Sequence, residues 1–136
     1  MIEAVNRQRK IRIETKAWES FAEKAAAAID KREATATIAF VSDKTIRQLN
    51  RQFRGVDKAT DVLSFPADET DKSNLGDIAI AVDTAAKQAK ENGLTFDEEV
   101  AQLILHGLLH LCGYDHETDN GEMNRLELRL RKKLGI

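Results

Sequence analysis

One segment limits the possible folds of this chain more than any other: His106-Gly107-Leu108-Leu109-His110-Leu111-Cys112-Gly113-Tyr114-Asp115-His116, which holds all three histidines of the protein. Upstream of it, Val100, Leu103, Ile104, Gly107, Leu108 and Leu111 recur at the three-and-four spacing of a helix face. Glu99, Gln102, His106 and His110 are then the only polar stripe on a helix that is otherwise apolar nearly all round. Such a helix is buried, and its polar stripe needs a partner. Four residues advance a helix by about 6 Å and about 40° past a full turn, so the imidazoles of His106 and His110 can converge on one atom. If the helix continued, His116 would lie roughly 120° away from His110 and about 9 Å further along the axis. The helix must therefore stop. Gly113 is placed to stop it, because glycine takes the left-handed conformation at no steric cost. Three more residues span up to about 10 Å, enough to bring His116 back.

The spacing H-x-x-x-H-x-x-G-x-x-H thus describes a tridentate metal site with a turn built into it. Three neutral imidazoles are the ligand set of a catalytic zinc, with the fourth position left for water, whereas structural zinc is closed by four protein ligands. One Zn²⁺ per chain is expected, held by His106, His110 and His116. Zinc peptidases with this histidine spacing carry glutamate directly after the first histidine as general base. Here Gly107 stands in its place. Peptide hydrolysis by that route is disfavoured, and a glycine inside a helix suggests a need for space or close approach near the metal.

The length, 136 residues, suits a single domain over residues 1–136. The net charge of −2 gives no global basic field to draw the protein to nucleic acid or anionic lipid, so any polyanion must be held locally. The lone Cys112 cannot form an intramolecular disulfide, which fits a reducing compartment, and its place beside His110 on a helix points it about 100° away from that ring. It reads as a small core residue. The N-terminus lacks an apolar signal core and no run approaches 18 apolar residues, so a cytoplasmic protein without a membrane partner is expected.

Along the chain, Met1–Val5 and Lys10–Glu14 look like short strands, or one strand interrupted by the basic turn Asn6-Arg7-Gln8-Arg9, and apolar periodicity predicts a helix over about Lys16–Lys31. A strand at Thr35–Val41 precedes a helix from Asp43 to about Phe53 capped by Ser42. Strands follow at Thr60–Pro66 and Leu75–Val82, separated by a polar, acidic loop over 68–74, which is expected to be mobile. Gly76 marks a bend or a close approach of backbone. Asp83 is placed to cap a helix over Thr84–Asn92, and the capping box Thr95-Phe96-Asp97-Glu98 opens the histidine helix, which runs to about Cys112. A closing helix, Glu122–Leu134, buries Met123, Leu126, Leu130 and Leu134. The expected class is α+β: a small mixed β-sheet packed against helices, one layer of sheet with the histidine helix central, in a zincin-like arrangement. Arg51, Arg54 and Lys58 cluster after the second helix, where cations suit the helix dipole as a solvated face. Asp115, the carboxylate nearest the histidines in sequence, can orient a ligand imidazole, take a proton, or simply bond local backbone in a turn.

Four stretches carry a resemblance when taken in order: Asn50-Arg51-Gln52-Phe53-Arg54, Thr60-Asp61-Val62-Leu63-Ser64-Phe65-Pro66, Leu75-Gly76-Asp77-Ile78, and the histidine segment. Together they resemble the bacterial YbeY family, and the likeness extends over the whole chain. Ala59 departs from the pattern, since many relatives have proline there, and this touches loop rigidity rather than chemistry. The resemblance implies a metal-dependent endoribonuclease that acts in maturation of the small-subunit (16S) rRNA 3′ end and in ribosome quality control. It implies that His106, His110 and His116 are the zinc ligands and that Arg54 is the cleft arginine associated with RNA cleavage. Arg51, Lys58 and Ser64 join Arg54 as expected substrate contacts, and Arg54 with Asp115 as the expected catalytic pair. The implied partners are precursor rRNA or the ribosome, a small-subunit ribosomal protein and a ribosome-associated GTPase. The reaction expected is metal-assisted hydrolysis of a phosphodiester; attack by the RNA 2′-hydroxyl, leaving a cyclic phosphate, is equally compatible with these residues. Two other functions share the ligand set: a zinc hydrolase of peptides or amides, and a non-catalytic ribosome assembly factor stabilised by zinc.

Overall fold

Strand and helix alternate through the first half of the chain and three helices gather at its end: β1 (Ile2–Asn6), α1 (Thr15–Ala28), β2 (Thr35–Val41), α2 (Asp43–Arg54), β3 (Val62–Pro66), β4 (Asn74–Ala81), α3 (Val82–Glu91), α4 (Phe96–Leu111) and α5 (Glu122–Leu134). These bounds come from a computed structural model that describes residues 1–68, 70–71 and 73–136. The strands form one mixed sheet in the order β1-β2-β4-β3, with β1, β2 and β4 parallel and β3 antiparallel on β4. In-register neighbours Ala4, Ile38 and Ile78 point to one face, and Leu63 beside Ala79 points to the other. Because β4 is buried on both faces, Ile78, Ala79, Ile80 and Ala81 form a continuous apolar run rather than an alternating one.

The main core lies on the face covered by α1 and α4, and a smaller one, built from Val41, Ile46, Leu63, Ala79 and Ala81, lies under α2. Helix α4 touches β3, β4, α1, α3 and α5, so the histidine helix is central to an α+β architecture, as the sequence predicts. Ser42 caps α2 by accepting from the Thr45 N–H at 3.2 Å, and both halves of the Thr95/Glu98 capping box form. Those hydrogen bonds hold the Glu98 carboxyl below its ordinary pKa. Gly76 is required: at φ +125° it lies so close to β3 that a Cβ would sit 2.2 Å from the Phe65 carbonyl oxygen.

Three local expectations need correction. Lys10–Glu14 is not a strand, because the Gln8 side chain donates to the Ile11 carbonyl and accepts from the Ile11 N–H, holding that backbone in a local turn instead of a ladder. Helix α1 ends at Ala28 rather than Lys31, where Asp30 takes a left-handed φ of +62° and the Lys31 N–H turns back to the Ala26 carbonyl. Asp83 does not cap α3, which begins at Val82, two residues before the expected start. Its first turn is satisfied from α2, by Asp43 Oδ1 accepting from the Thr84 N–H at 3.2 Å and the Thr84 hydroxyl at 2.8 Å. The expected loop over 68–74 includes Glu69 and Lys72, which lie outside the described residues.

Candidate metal centre

Helix α4 is enclosed almost completely: Val100, Ile104, Leu105, Leu108 and Leu109 have no exposed surface. Its polar stripe emerges at His106 and His110, one turn apart, with ring centroids 4.6 Å apart and their Nε2 atoms separated by 3.1 Å. The helix then stops as the spacing predicts. Gly113 takes φ +97°, its N–H donates to the His110 carbonyl, and the Tyr114 N–H donates to the Leu109 carbonyl, which is the Schellman pattern. Beyond it, Asp115 Oδ1 accepts from the Glu117 N–H, and the Asp115 carbonyl accepts from Thr118 and Asp119. This turn returns the exposed His116 ring to 5.5 Å from His106 and 5.4 Å from His110, centroid to centroid.

One nitrogen from each of the three rings lies within 4.8 Å of the other two. Nitrogens about 2.05 Å from one tetrahedral ion lie roughly 3.3 Å apart, so the donor set fits a divalent metal of imidazole preference. Burial, then the neighbouring His106 and His116, lowers the His110 pKa, with smaller opposing effects from Tyr114 and Asp115. A depressed pKa favours the neutral imidazole that ligation needs. Cys112 is not part of the cluster; it is half-buried at the core margin, and burial pushes its thiol pKa up, away from thiolate chemistry.

The three imidazoles open onto a cleft of about 490 Å³ whose walls include Arg54, Asp61, Ser64 and Asp115. Arg54 reaches it from the last turn of α2, which Gly55 ends at φ +70°. The buried Asn50 side chain donates to the Lys58 carbonyl at 2.9 Å and folds the following loop back against the helix. The Arg54 guanidinium is exposed and has no ion pair or hydrogen bond among the described residues. Arg51 and Lys58 are exposed but do not line the cleft. Ser64 lines it, and its hydroxyl donates to the Gly107 carbonyl at 3.3 Å, tying the edge strand β3 to α4.

Gly107 has a different reason than expected. Its missing side chain faces the sheet rather than the metal, since a Cβ there would meet Ile78 Cδ1 at 2.9 Å. The sequence reading also passed over a residue. Glu127 of α5, 7% exposed, brings Oε1 to 2.7 Å from His106 Nδ1, while its Oε2 accepts from Arg131 Nη2 at 3.3 Å. Burial acts to raise its pKa, but the hydrogen bond to His106 and the nearby charges outweigh it and hold Glu127 below the ordinary glutamate value. The signal was present in the sequence. Glu127 stands four residues after Met123 and three before Leu130, on the face of α5 that is otherwise apolar.

The family model described as Endoribonuclease YbeY matches residues 3–135. This chain belongs to the YbeY family. Among its relatives, the Endoribonuclease YbeY of Nautilia profundicola is 56% identical over 94 residues, 69% of this chain and 68% of that protein. The YbeY protein of Campylobacter fetus is 44% identical over 104 residues, 76% of this chain and 78% of that one. The solution structure of TM1509 from Thermotoga maritima superposes with a TM-score of 0.69 at 32% identity, covering 98% of this chain and 89% of that one. The overall fold is therefore similar to that of a solved protein, and the YbeY match spans every residue of the cleft named above.

Proposed function

We propose that this YbeY-family protein is a zinc-dependent single-strand endoribonuclease that matures the 3′ end of small-subunit (16S) rRNA and takes part in ribosome quality control. The observation that carries this reading is the convergence of three imidazoles in one open cleft with an arginine that is unpaired among the described residues. The names of the relatives supply the substrate class. His106, His110 and His116 would hold one Zn²⁺ per chain, with no fourth protein ligand among the described residues. When bound, Zn²⁺ supplies Lewis acidity toward a phosphoryl oxygen and activates water near neutral pH.

The protein's own groups supply the rest. The Arg54 guanidinium can take two phosphate oxygens in its planar fork and stabilise the charge that grows on them as the phosphorus becomes five-coordinate. Asp115 lines the cleft and keeps Oδ1 on the Glu117 N–H, so its second carboxylate oxygen would be the one to accept a proton. Ser64 can accept a hydrogen bond from the substrate while still donating to Gly107. Arg51 and Lys58, exposed outside the cleft, would meet phosphates of the flanking strand, and their local charge matters because the net charge is −2. Gly107 occupies the position where a zinc peptidase has its base, which disfavours peptides as substrate. No helix of the described residues is long and apolar enough to cross a membrane, in keeping with the cytoplasm as place of action. A small-subunit ribosomal protein and a ribosome-associated GTPase are the proposed protein partners.

Arg54→Ala tests the role of the arginine. With zinc loaded, the variant should keep its fold and its metal while turnover on single-stranded RNA falls by about 10²–10³, the usual loss on removing one charge-stabilising donor. Unchanged turnover would return Arg54 to a solvated helix end.

A further inference from the structure

We propose that Glu127 is a positioning residue of the metal centre: it fixes the His106 ring with Nδ1–H toward α5, so that Nε2 is the atom presented to the ion. The inference rests on the reading of the three histidines as a metal site. Three observations support it.

The first is geometric. Glu127 Oε1 lies 2.7 Å from His106 Nδ1, and His106 Nε2 faces His110 Nε2 at 3.1 Å, so the two nitrogens of the ring have separate partners. A carboxylate only accepts; the proton of a neutral His106 must then sit on Nδ1, leaving the Nε2 lone pair free.

The second is the setting of Glu127. It is 7% exposed between Met123 at 1% and Leu130 at 4%, a place where an aliphatic side chain would pack without desolvating a charge. Packing alone gives no reason for a carboxylate there.

The third is that Glu127 is itself held. Arg131, one turn on, donates from Nη2 to Oε2 at 3.3 Å, while its own Nε is buried without a hydrogen-bond partner among the described residues. Each carboxylate oxygen thus has one partner, and the chain of contacts runs from Arg131 through Glu127 to His106. Ligand histidines held in this way by a carboxylate keep their orientation and gain basicity.

The test measures Zn²⁺ affinity without RNA, by competition with a chromophoric chelator, for native protein, Glu127→Leu and Glu127→Gln. Glu127→Leu should bind Zn²⁺ about 10–100-fold more weakly. Glu127→Gln should recover most of that loss, because its amide oxygen still accepts from Nδ1–H. A long-range ¹H–¹⁵N spectrum of zinc-loaded native protein should show the His106 proton on Nδ1 and coordination at Nε2. This spectrum needs no variant, so it decides the matter if Glu127→Leu fails to fold. Native-like affinity in Glu127→Leu, or coordination of His106 through Nδ1, overturns the proposal alone. Native protein that takes up no Zn²⁺ overturns the metal-centre reading and this inference with it.

Discussion

His110 is half-buried against two other imidazoles, and burial is the main reason its pKa is low. The sign of the resulting pH dependence follows directly. In the unfolded chain His110 titrates near the ordinary value of about 6.5, while in the folded metal-free protein it titrates lower, so in that interval the unfolded state binds more protons. The stability it contributes is present above about 6.5 and is lost as pH falls through the folded value. Glu127, also depressed in the fold, contributes in the same direction below the ordinary glutamate range. Urea midpoints of metal-free protein should therefore fall from about pH 7 to about pH 5, and less steeply in His110→Gln. Equal slopes would mean that His110 is not the group responsible. At this scale the clustering of the three imidazoles was legible because the spacing of the histidines and a glycine stop suffice to bring the rings together. Glu127 is harder to read from sequence, because the apolar stripe of α5 is defined by its hydrophobic members and the partner of the one carboxylate on that face, His106, lies on another helix. Gly107 was recognised as a close-approach glycine, but nothing local to it says that the neighbour is Ile78 rather than the metal.

At the scale of elements, the seating of α4 on the sheet sets where the imidazoles emerge, and at Gly107 the helix comes too close to Ile78 to leave ordinary room for a Cβ. Gly107→Ala gains about 1 kcal/mol of helix propensity, but its methyl would approach three atoms of Ile78, which is 1% exposed and has little room to move. Overpacking of this kind costs about 1–3 kcal/mol, so a net destabilisation of about 1 kcal/mol is expected in urea unfolding. Ile78→Val removes the Cδ1 that lies at 2.9 Å, and should therefore be less damaging in Gly107→Ala than in native protein. Strict additivity would place the contact elsewhere. Elements whose ends are set by adjacent residues were legible: Ser42 and Thr95 open helices and Gly113 closes one, all through bonds spanning a few positions. The errors fell where a distant or irregular partner decided the outcome. Thr84 is satisfied from Asp43, 41 residues away, and within Lys10–Glu14 both backbone groups of Ile11 are taken by the Gln8 side chain rather than by a strand neighbour.

For the whole molecule, the candidate site is a product of topology. The antiparallel edge strand β3 supplies Ser64, the end of α2 on the opposite face of the sheet supplies Arg54, and α4 with the turn after it supplies the imidazoles. Composition and periodicity made the α+β class legible. Strand order was not, because pairing β2 with β4 and turning β3 antiparallel depends on contacts between segments far apart in sequence. Nor could spacing alone separate Arg54 from Arg51 and Lys58; the capped end of α2 does so, by directing only Arg54 into the cleft. The central claim is that a metal held by the three histidines lets this cleft cut RNA. It is tested most directly by cleavage of single-stranded RNA carrying the small-subunit 3′ precursor sequence, with native, chelator-stripped and zinc-restored protein assayed side by side and their metal content measured. The account predicts cleavage by native protein with about one zinc per chain, loss on stripping and return on restoring zinc. Undiminished cleavage by verified metal-free protein, or intact RNA with the zinc-loaded protein, would contradict it.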